Sequence, residues 1–267
     1  MPDLSRAEGE FAQGAGRFDD ADVARCYACR PPYAPALFAF LLSRVNGRTT
    51  ALDLGCGPGK IAVVLADHFA EVVARDAAVH MIEAGRNADA GRHANIAWAC
   101  GRAENLATDR RFDLVTVGTA IHFMDPAILF PKLAALTPTV AILSGDGPAT
   151  MACGPKTWTE FNRRWVTRMG SVHDKRAFDA MNSRHEPWMD IAGRERFAFR
   201  FRQNLEDFIT CQHSRATWTR AVMGKTLAGE LDRDLAVLLR PYARDGFLEL
   251  DLVSELVWGA PRTSPRQ

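Results

Sequence analysis

The sequence predicts an α/β protein: a doubly wound, seven-stranded, mostly parallel sheet with helices on both faces. Three observations predict it. Between Thr50 and Ser144, five short apolar runs are separated by segments of helical period, the mark of parallel strands joined by helical crossovers. The first of these runs ends in a glycine-rich turn, D-L-G-C-G-P-G (Asp53–Gly59), where a helix follows. Beyond residue 195, two stretches alternate apolar and polar residues, as the outer strands of such a sheet do.

Taken in order, Asp22–Ala28 reads as a short helix that Arg30-Pro31-Pro32-Tyr33 breaks. Pro35–Val45 reads as a helix with one apolar face (Leu37, Phe38, Phe40, Leu41, Val45), closed by Asn46-Gly47. Strands are expected at Thr50–Leu54, Glu71–Arg75, Ile96–Cys100, Phe112–Val117 and Val140–Ser144, with helices at Ile61–Phe69, Ala78–Asn87 and Ile128–Ala135 between them. The pattern changes at Gly145. Helices are expected at Trp158–Met169, Phe178–Asn182, Leu205–Ile209, Arg215–Met223 and Ala228–Leu239, and strands at Phe197–Arg202 (F-A-F-R-F-R) and Phe247–Trp258. The chain therefore divides into an N-terminal helical cap (1–47), a ligand-binding core (48–145), a helical lid inserted after strand five (146–195) and the remainder of the core sheet with its helices (196–267).

With 267 residues, 47% hydrophobic and 24% charged, the chain has ample material for a core. A net charge of +1 argues against a nucleic-acid partner. Residues 1–16 are polar and carry no basic stretch followed by an apolar one, so no secretory signal is expected there. No apolar run reaches the length of a membrane span. We expect a cytoplasmic protein, monomer or homodimer, with its six cysteines reduced and no metal. Cys26 and Cys29 form a C-x-x-C, but a zinc site would need a second pair, and one helix face explains the spacing.

Gly55, Gly57 and Gly59 let the backbone turn sharply and approach a ligand without Cβ clashes, at the carboxyl ends of the strands where open α/β sheets bind ligands. Two ligand classes compete. A dinucleotide loop, G-x-G-x-x-G, would have its third glycine at position 60, which is Lys60. S-adenosylmethionine (SAM) has no phosphate; it carries an amino group and a sulfonium, to which a carboxylate at Asp53 is suited. Asp76, at the end of the second strand, is placed to accept from ribose hydroxyls; its alternative role is a helix N-cap.

D-L-G-C-G-P-G closely resembles motif I of the class I SAM-dependent methyltransferases. The spacing to Asp76, G-R-A-E-N-L (Gly101–Leu106) and F-D-L-V-T-V-G-T-A-I-H-F-M-D (Phe112–Asp125) are similar to the same family. Within it the chain resembles the small-molecule branch, trans-aconitate-type and natural-product enzymes, which often carries Y-x-x-x-R-P-x-Y-P ahead of motif I. Here that stretch is Tyr27-Ala28-Cys29-Arg30-Pro31-Pro32-Tyr33-Ala34. The resemblance covers residues 25–145 well and the rest in outline. It implies a Rossmann-like sheet, SAM as cofactor with S-adenosylhomocysteine as product, and cofactor contacts from Tyr33, Asp53, Gly55, Cys56, Gly57, Gly59, Asp76, Ala77, Met81, Arg102, Ala103, Glu104 and Thr119. Position 102 is commonly Asp in the family; Arg102 cannot accept from the adenine amine, which leaves the Ala103 backbone, Met81 packing or Glu104.

His122, just past strand four, is the candidate general base for a hydroxyl or protonated amine; its alternative role is to orient the acceptor. Candidate contacts to a small-molecule substrate are Tyr27, Arg30, Trp158, Phe161, Arg164, Trp165 and Trp218, with aromatics stacking on a flat acceptor and arginines gripping a carboxylate. The alternative is that these rings form the lid's own core and the arginines its solvated face. A base-methylating enzyme would carry Asn/Asp-Pro-Pro-Tyr/Phe after strand four, where this chain has Gly118-Thr119-Ala120-Ile121-His122. A nucleic-acid or protein methyltransferase, a nicotinamide oxidoreductase and a non-catalytic SAM-binding protein are the competing readings.

Overall fold

The computed structural model describes residues 16–145, 147–170 and 175–266, and every statement below concerns these. Most of the polar stretch expected at the N-terminus, residues 1–15, lies outside them.

Helix α1 (Ala21–Ala28) starts where Asp20 accepts from the Asp22 and Val23 amides, at 2.7 and 3.3 Å. α2 (Pro35–Arg44) opens on a proline, whose missing N–H costs nothing at a helix start. Then come β1 (Thr50–Leu54), α3 (Ala62–Ala66), β2 (Glu71–Asp76), α4 (Val79–Asp89), β3 (Ile96–Cys100), β4 (Leu114–Gly118), α5 (Pro126–Leu136) and β5 (Val140–Ser144). The C-terminal part holds β6 (Pro148–Thr150), α6 (Pro155–Arg168), α7 (Lys175–Ser183), β7 (Met189–Asn204), α8 (Leu205–Gln212), α9 (Arg220–Leu239) and β8 (Phe247–Pro261).

All seven expected strands join one sheet in the order β3-β2-β1-β4-β5-β8-β7. The first five are parallel; β8 runs antiparallel to β5 on one edge and to β7 on the other. An eighth strand, the three-residue β6, extends the β5 edge of β8. The central strands are apolar on both faces because helices cover both. Alternate residues diverge: Ala51, Val72 and Leu114 pack with Leu37, Leu41 and Leu65 on one face, and Leu52, Val115 and Val117 pack with Leu129, Phe130 and Leu133 on the other. A further core joins α6, α8, α9 and the far half of the β7–β8 pair, through Phe161, Trp165, Phe208, Leu231, Leu235, Leu248 and Leu250.

Most boundaries fall within three residues of expectation, and three elements differ in a way that matters. β7 begins at Met189, so the division expected at residue 195 falls inside a strand. Its first half is an exposed edge carrying Arg194, Glu195 and Arg196, with an irregularity between Ile191 and Gly193, and charges there obscure the alternation. The helices expected at Arg215–Met223 and Ala228–Leu239 meet in one element, α9, which begins only at Arg220, after its N-cap Thr219, and is broken at Gly224 (φ 72°). The helix expected over Ile61–Phe69 is shorter, Ala62–Ala66. The C-x-x-C cysteines lie on α1 and its C-cap, and all six cysteines are free. No helix among the described residues is long and apolar enough to cross a membrane.

Candidate functional site

The loop after β1 holds all three glycines in the left-handed region: Gly55 at φ 63°, Gly57 at 52° and Gly59 at 85°. Space requires two of them. A Cβ on Gly55 would lie 2.6 Å from the Ala120 methyl, and one on Gly59 would fall under 3.0 Å from the Trp98 ring. The same ring fills the space a Gly85 Cβ would need, at 2.5 Å, so Trp98 is a platform wedged between the loop and α4. Gly57 is different. A Cβ there would meet nothing nearer than the Tyr27 ring at 3.7 Å, and this is the stretch of backbone a ligand can approach.

Asp76 ties this loop to α4. Its Oδ2 accepts from the Gly57 amide and its Oδ1 from the Ala78 amide, both at 2.8 Å. Ala78, not Asp76, is the N-cap of α4. Burial raises the Asp76 carboxyl above the usual range, against the pull of these amide hydrogen bonds. Asp53 lies deeper. It is fully buried, bonded through Oδ1 to the Thr116 hydroxyl at 2.8 Å, and burial pushes its pKa up to about 7. The attraction expected between a charged Asp53 and an ammonium is weakened accordingly.

A small cavity borders the loop, lined by Tyr27, Tyr33, Gly55, Cys56, Lys60, Ile61 and Gly118. Its N-terminal wall is anchored at several points. The Arg30 guanidinium lies 4.1 Å from the Tyr27 ring centre and donates to the Ser214 hydroxyl and carbonyl at 2.7 and 2.9 Å. The Tyr33 hydroxyl pairs with the Thr119 hydroxyl at 2.8 Å. Thr119 follows β4 at φ 50°, a strained conformation for a β-branched residue, held by the hydrogen bond its N–H donates to the Leu143 carbonyl. His122 is buried on a short turn, Ile121–Phe123, with its ring 4.0 Å from Phe123; Phe123 in turn meets Phe18 at 5.5 Å. Arg184, after α7, donates to the Met124 and His122 carbonyls at 2.8 and 3.4 Å and so ties the expected lid to this turn.

Of the expected cofactor residues, Tyr33, Gly55 and Cys56 line the cavity, and Gly57, Gly59, Asp76 and Thr119 adjoin it. Met81 is buried with Val23, Ala24 and Ala78, where α1 packs on α4; Ala77 is exposed beside them. Glu104 is buried and accepts from the Asp125 amide at 3.0 Å, while the mostly exposed Arg102 pairs with it at 3.2 Å. Ala103 is buried between them.

The expected substrate residues divide. Tyr27 and Arg30 stand at the loop. Phe161, Trp165 and Trp218 are in the C-terminal core, with Trp158 stacked on Phe161 at 5.6 Å, and none of the four lines the cavity. Arg164 points outward and pairs with Asp234 at 2.7 Å. Sequence reasoning missed Trp98, Ser214 and Arg184. Only Gly85, a helix-breaking residue inside α4, hinted at a bulky neighbour. No group of three His, Cys, Asp or Glu among the described residues is placed to hold a metal ion.

A family profile described as a methyltransferase domain matches residues 51–137, the stretch holding the loop, Asp76 and His122. Over this stretch the chain is similar to the methyltransferase domain family. Trans-aconitate 2-methyltransferase of Methylobacterium radiotolerans is 32% identical over 119 residues, 43% of this chain and 44% of that enzyme, so the chain spans less than half of that relative's length. A methyltransferase of Mycobacterium tuberculosis whose activity is uncharacterised is 28% identical over 202 residues, 74% of this chain and 68% of that one. Among solved structures, a type II methyltransferase from Anaeromyxobacter dehalogenans superposes with a TM-score of 0.63 at 21% identity, covering 89% of this chain and 99% of that one. This structural likeness speaks for the fold. The methyl donor of this methyltransferase family is SAM.

Proposed function

We propose that this methyltransferase moves a methyl group from SAM to an oxygen or nitrogen of a small molecule and releases S-adenosylhomocysteine. The observation that supports it best is the open left-handed backbone at Gly57, with the Asp76 carboxylate bonded to its amide and a small cavity bordering the loop. These features suit an adenosine-bearing ligand without phosphates: an acceptor for ribose hydroxyls, and an approachable loop beside aromatic rings. In this reading Gly55, Cys56, Gly57, Gly59 and Tyr33 hold the amino-acid end, Asp76 the ribose, and Met81, Ala103 and Glu104 the adenine side. When bound, the cofactor supplies an activated sulfonium methyl.

The protein's task is then to align the acceptor and exclude water, and alignment alone supplies about 7–11 kcal/mol. His122, on the turn after β4, takes the proton from a hydroxyl or ammonium acceptor, or orients a carboxylate that needs no base. We assign acceptor contact to Tyr27 and Arg30, which border the loop, rather than to the rings packed inside the C-terminal core. The likeness to a trans-aconitate enzyme makes a small carboxylate the first acceptor to test.

Calorimetric titration with S-adenosylhomocysteine tests the cofactor assignment. The wild-type protein should bind, and Asp76→Ala should weaken binding at least tenfold; equal affinity would remove Asp76 from the site. Incubation with methyl-labelled SAM and trans-aconitate or related acids tests the acceptor class, and label transferred only to larger polymers would overturn the small-molecule reading.

A further inference from the structure

Lys60 occupies the position where a dinucleotide loop would carry its third glycine, and the structure gives it a task of its own. It stands at the end of the glycine loop and lines the cavity. Its ammonium donates to the Arg30 carbonyl at 2.5 Å and the Pro31 carbonyl at 2.9 Å, and lies 5.5 Å from the centre of the Tyr27 ring. All three partners belong to one segment, the end of α1 and the Pro-Pro turn after it. Hydrogen bonds from an ammonium to carbonyls are charge-assisted, and a cation over a tyrosine ring adds to them.

The segment so held is the roof of the site. Tyr27 is the group nearest the open face of Gly57. On its other side α1 packs Val23 and Ala24 against Ala78 and Met81, directly after Asp76. Phe18 reaches from the residues before α1 to Phe123, next to His122. One strap therefore borders the loop, the expected adenosine side and the His122 turn, and Lys60 fastens it from the loop.

We propose that Lys60 is a positioning residue, a latch that holds the Tyr27–Pro31 strap over the bound cofactor. The proposal rests on the cofactor reading above. By this geometry Lys60 acts on affinity through the strap rather than by touching the cofactor's carboxylate.

The test compares two ligands in the full chain: S-adenosylhomocysteine and 5′-methylthioadenosine, which keeps the adenosine and sulfur but has no amino-acid carboxylate. Lys60→Met should weaken both about tenfold, and Lys60→Arg should stay within about threefold of wild type. In a double-mutant cycle, Tyr27→Ala combined with Lys60→Met should lose little more than the larger single change, because both undo the same strap. A loss confined to S-adenosylhomocysteine, fully additive losses, or unchanged affinity in Lys60→Met would each overturn the latch. If Lys60→Met fails to fold, Lys60→Gln is read by the same criteria. Failure of the wild-type protein to bind either ligand would instead refute the cofactor reading, and is distinguishable because it does not depend on the variant.

Discussion

Gly59→Ala places one methyl group where the backbone and the Trp98 ring both oppose it. At φ 85° an alanine adopts a left-handed conformation that costs about 1–2 kcal/mol. The added Cβ falls under 3.0 Å from the ring, whereas carbon atoms in contact prefer about 3.5–4.0 Å, so the indole has to move by about 1 Å. It cannot move freely, because the same ring packs against Gly85 of α4. Overpacking of this kind costs about 1–3 kcal/mol. The sum, about 2–5 kcal/mol, corresponds to a fall in Tm of roughly 5–15 °C for a chain of this size. Thermal unfolding followed by circular dichroism measures it. Trp98→Leu removes the obstacle, so Gly59→Ala in that background should cost only the backbone portion, and the two changes should be non-additive by at least 1 kcal/mol. A Gly59→Ala protein melting within 1 °C of wild type, or an equal loss with and without Trp98, would refute the platform.

Further outcomes follow from other groups. Asp53 titrates near 7 in the folded protein against about 4 unfolded, so the stability linked to it is fully present below pH 4 and is lost as the pH rises through 7. Asp53→Asn should flatten the dependence of Tm on pH between 4 and 7; an unchanged slope would exclude Asp53 as its source. His93 bonds Asp89 at its Nδ1, and that hydrogen bond raises its pKa, so this pair loses stability as the pH climbs past the His93 midpoint. His93→Gln should remove that loss from the Tm profile. Trp165→Ala, deleting a ring that is 1% exposed, should cost about 3–5 kcal/mol in denaturant unfolding while leaving S-adenosylhomocysteine affinity within about threefold. His122→Ala should lower kcat about 10²–10⁴-fold with little change in cofactor affinity if it serves as base; equal losses in both would reassign it to positioning.

The parallel half of the fold was legible because its strands are covered on both faces and so read as uninterrupted apolar runs ending in glycine. The sharp turn after β1 was legible because its signal is local: three glycines that take up left-handed conformations. Trp98 was not, since its partners, Gly59 and Gly85, lie far from it in sequence and a tryptophan in a strand looks like ordinary core. Lys60 was visible only as the absence of a glycine, because what it holds is main-chain carbonyl, which has no signature in side-chain identity. The aromatics of α6 were ambiguous by nature. Phe161 and Trp165 recur at helical spacing, and that spacing fits a packed face as well as a stacking surface; the structure puts them inside. The start of β7 was hidden by the charged residues that protect its exposed edge.

The β7–β8 pair crosses from one core into the other. Met189 packs under the central sheet, Phe199 touches the cores on both sides of the crossing, and Leu248 and Leu250 lie among α6, α8 and α9. Two strands of fifteen and sixteen residues, bonded along nearly their whole length, act as a beam through the molecule. The central half and the C-terminal half are therefore spliced, and swinging one against the other would tear a continuous ladder. The segment around Tyr27 lies outside this splice, so what holds it in place is the set of side-chain ties to Lys60 and Ser214 rather than the sheet.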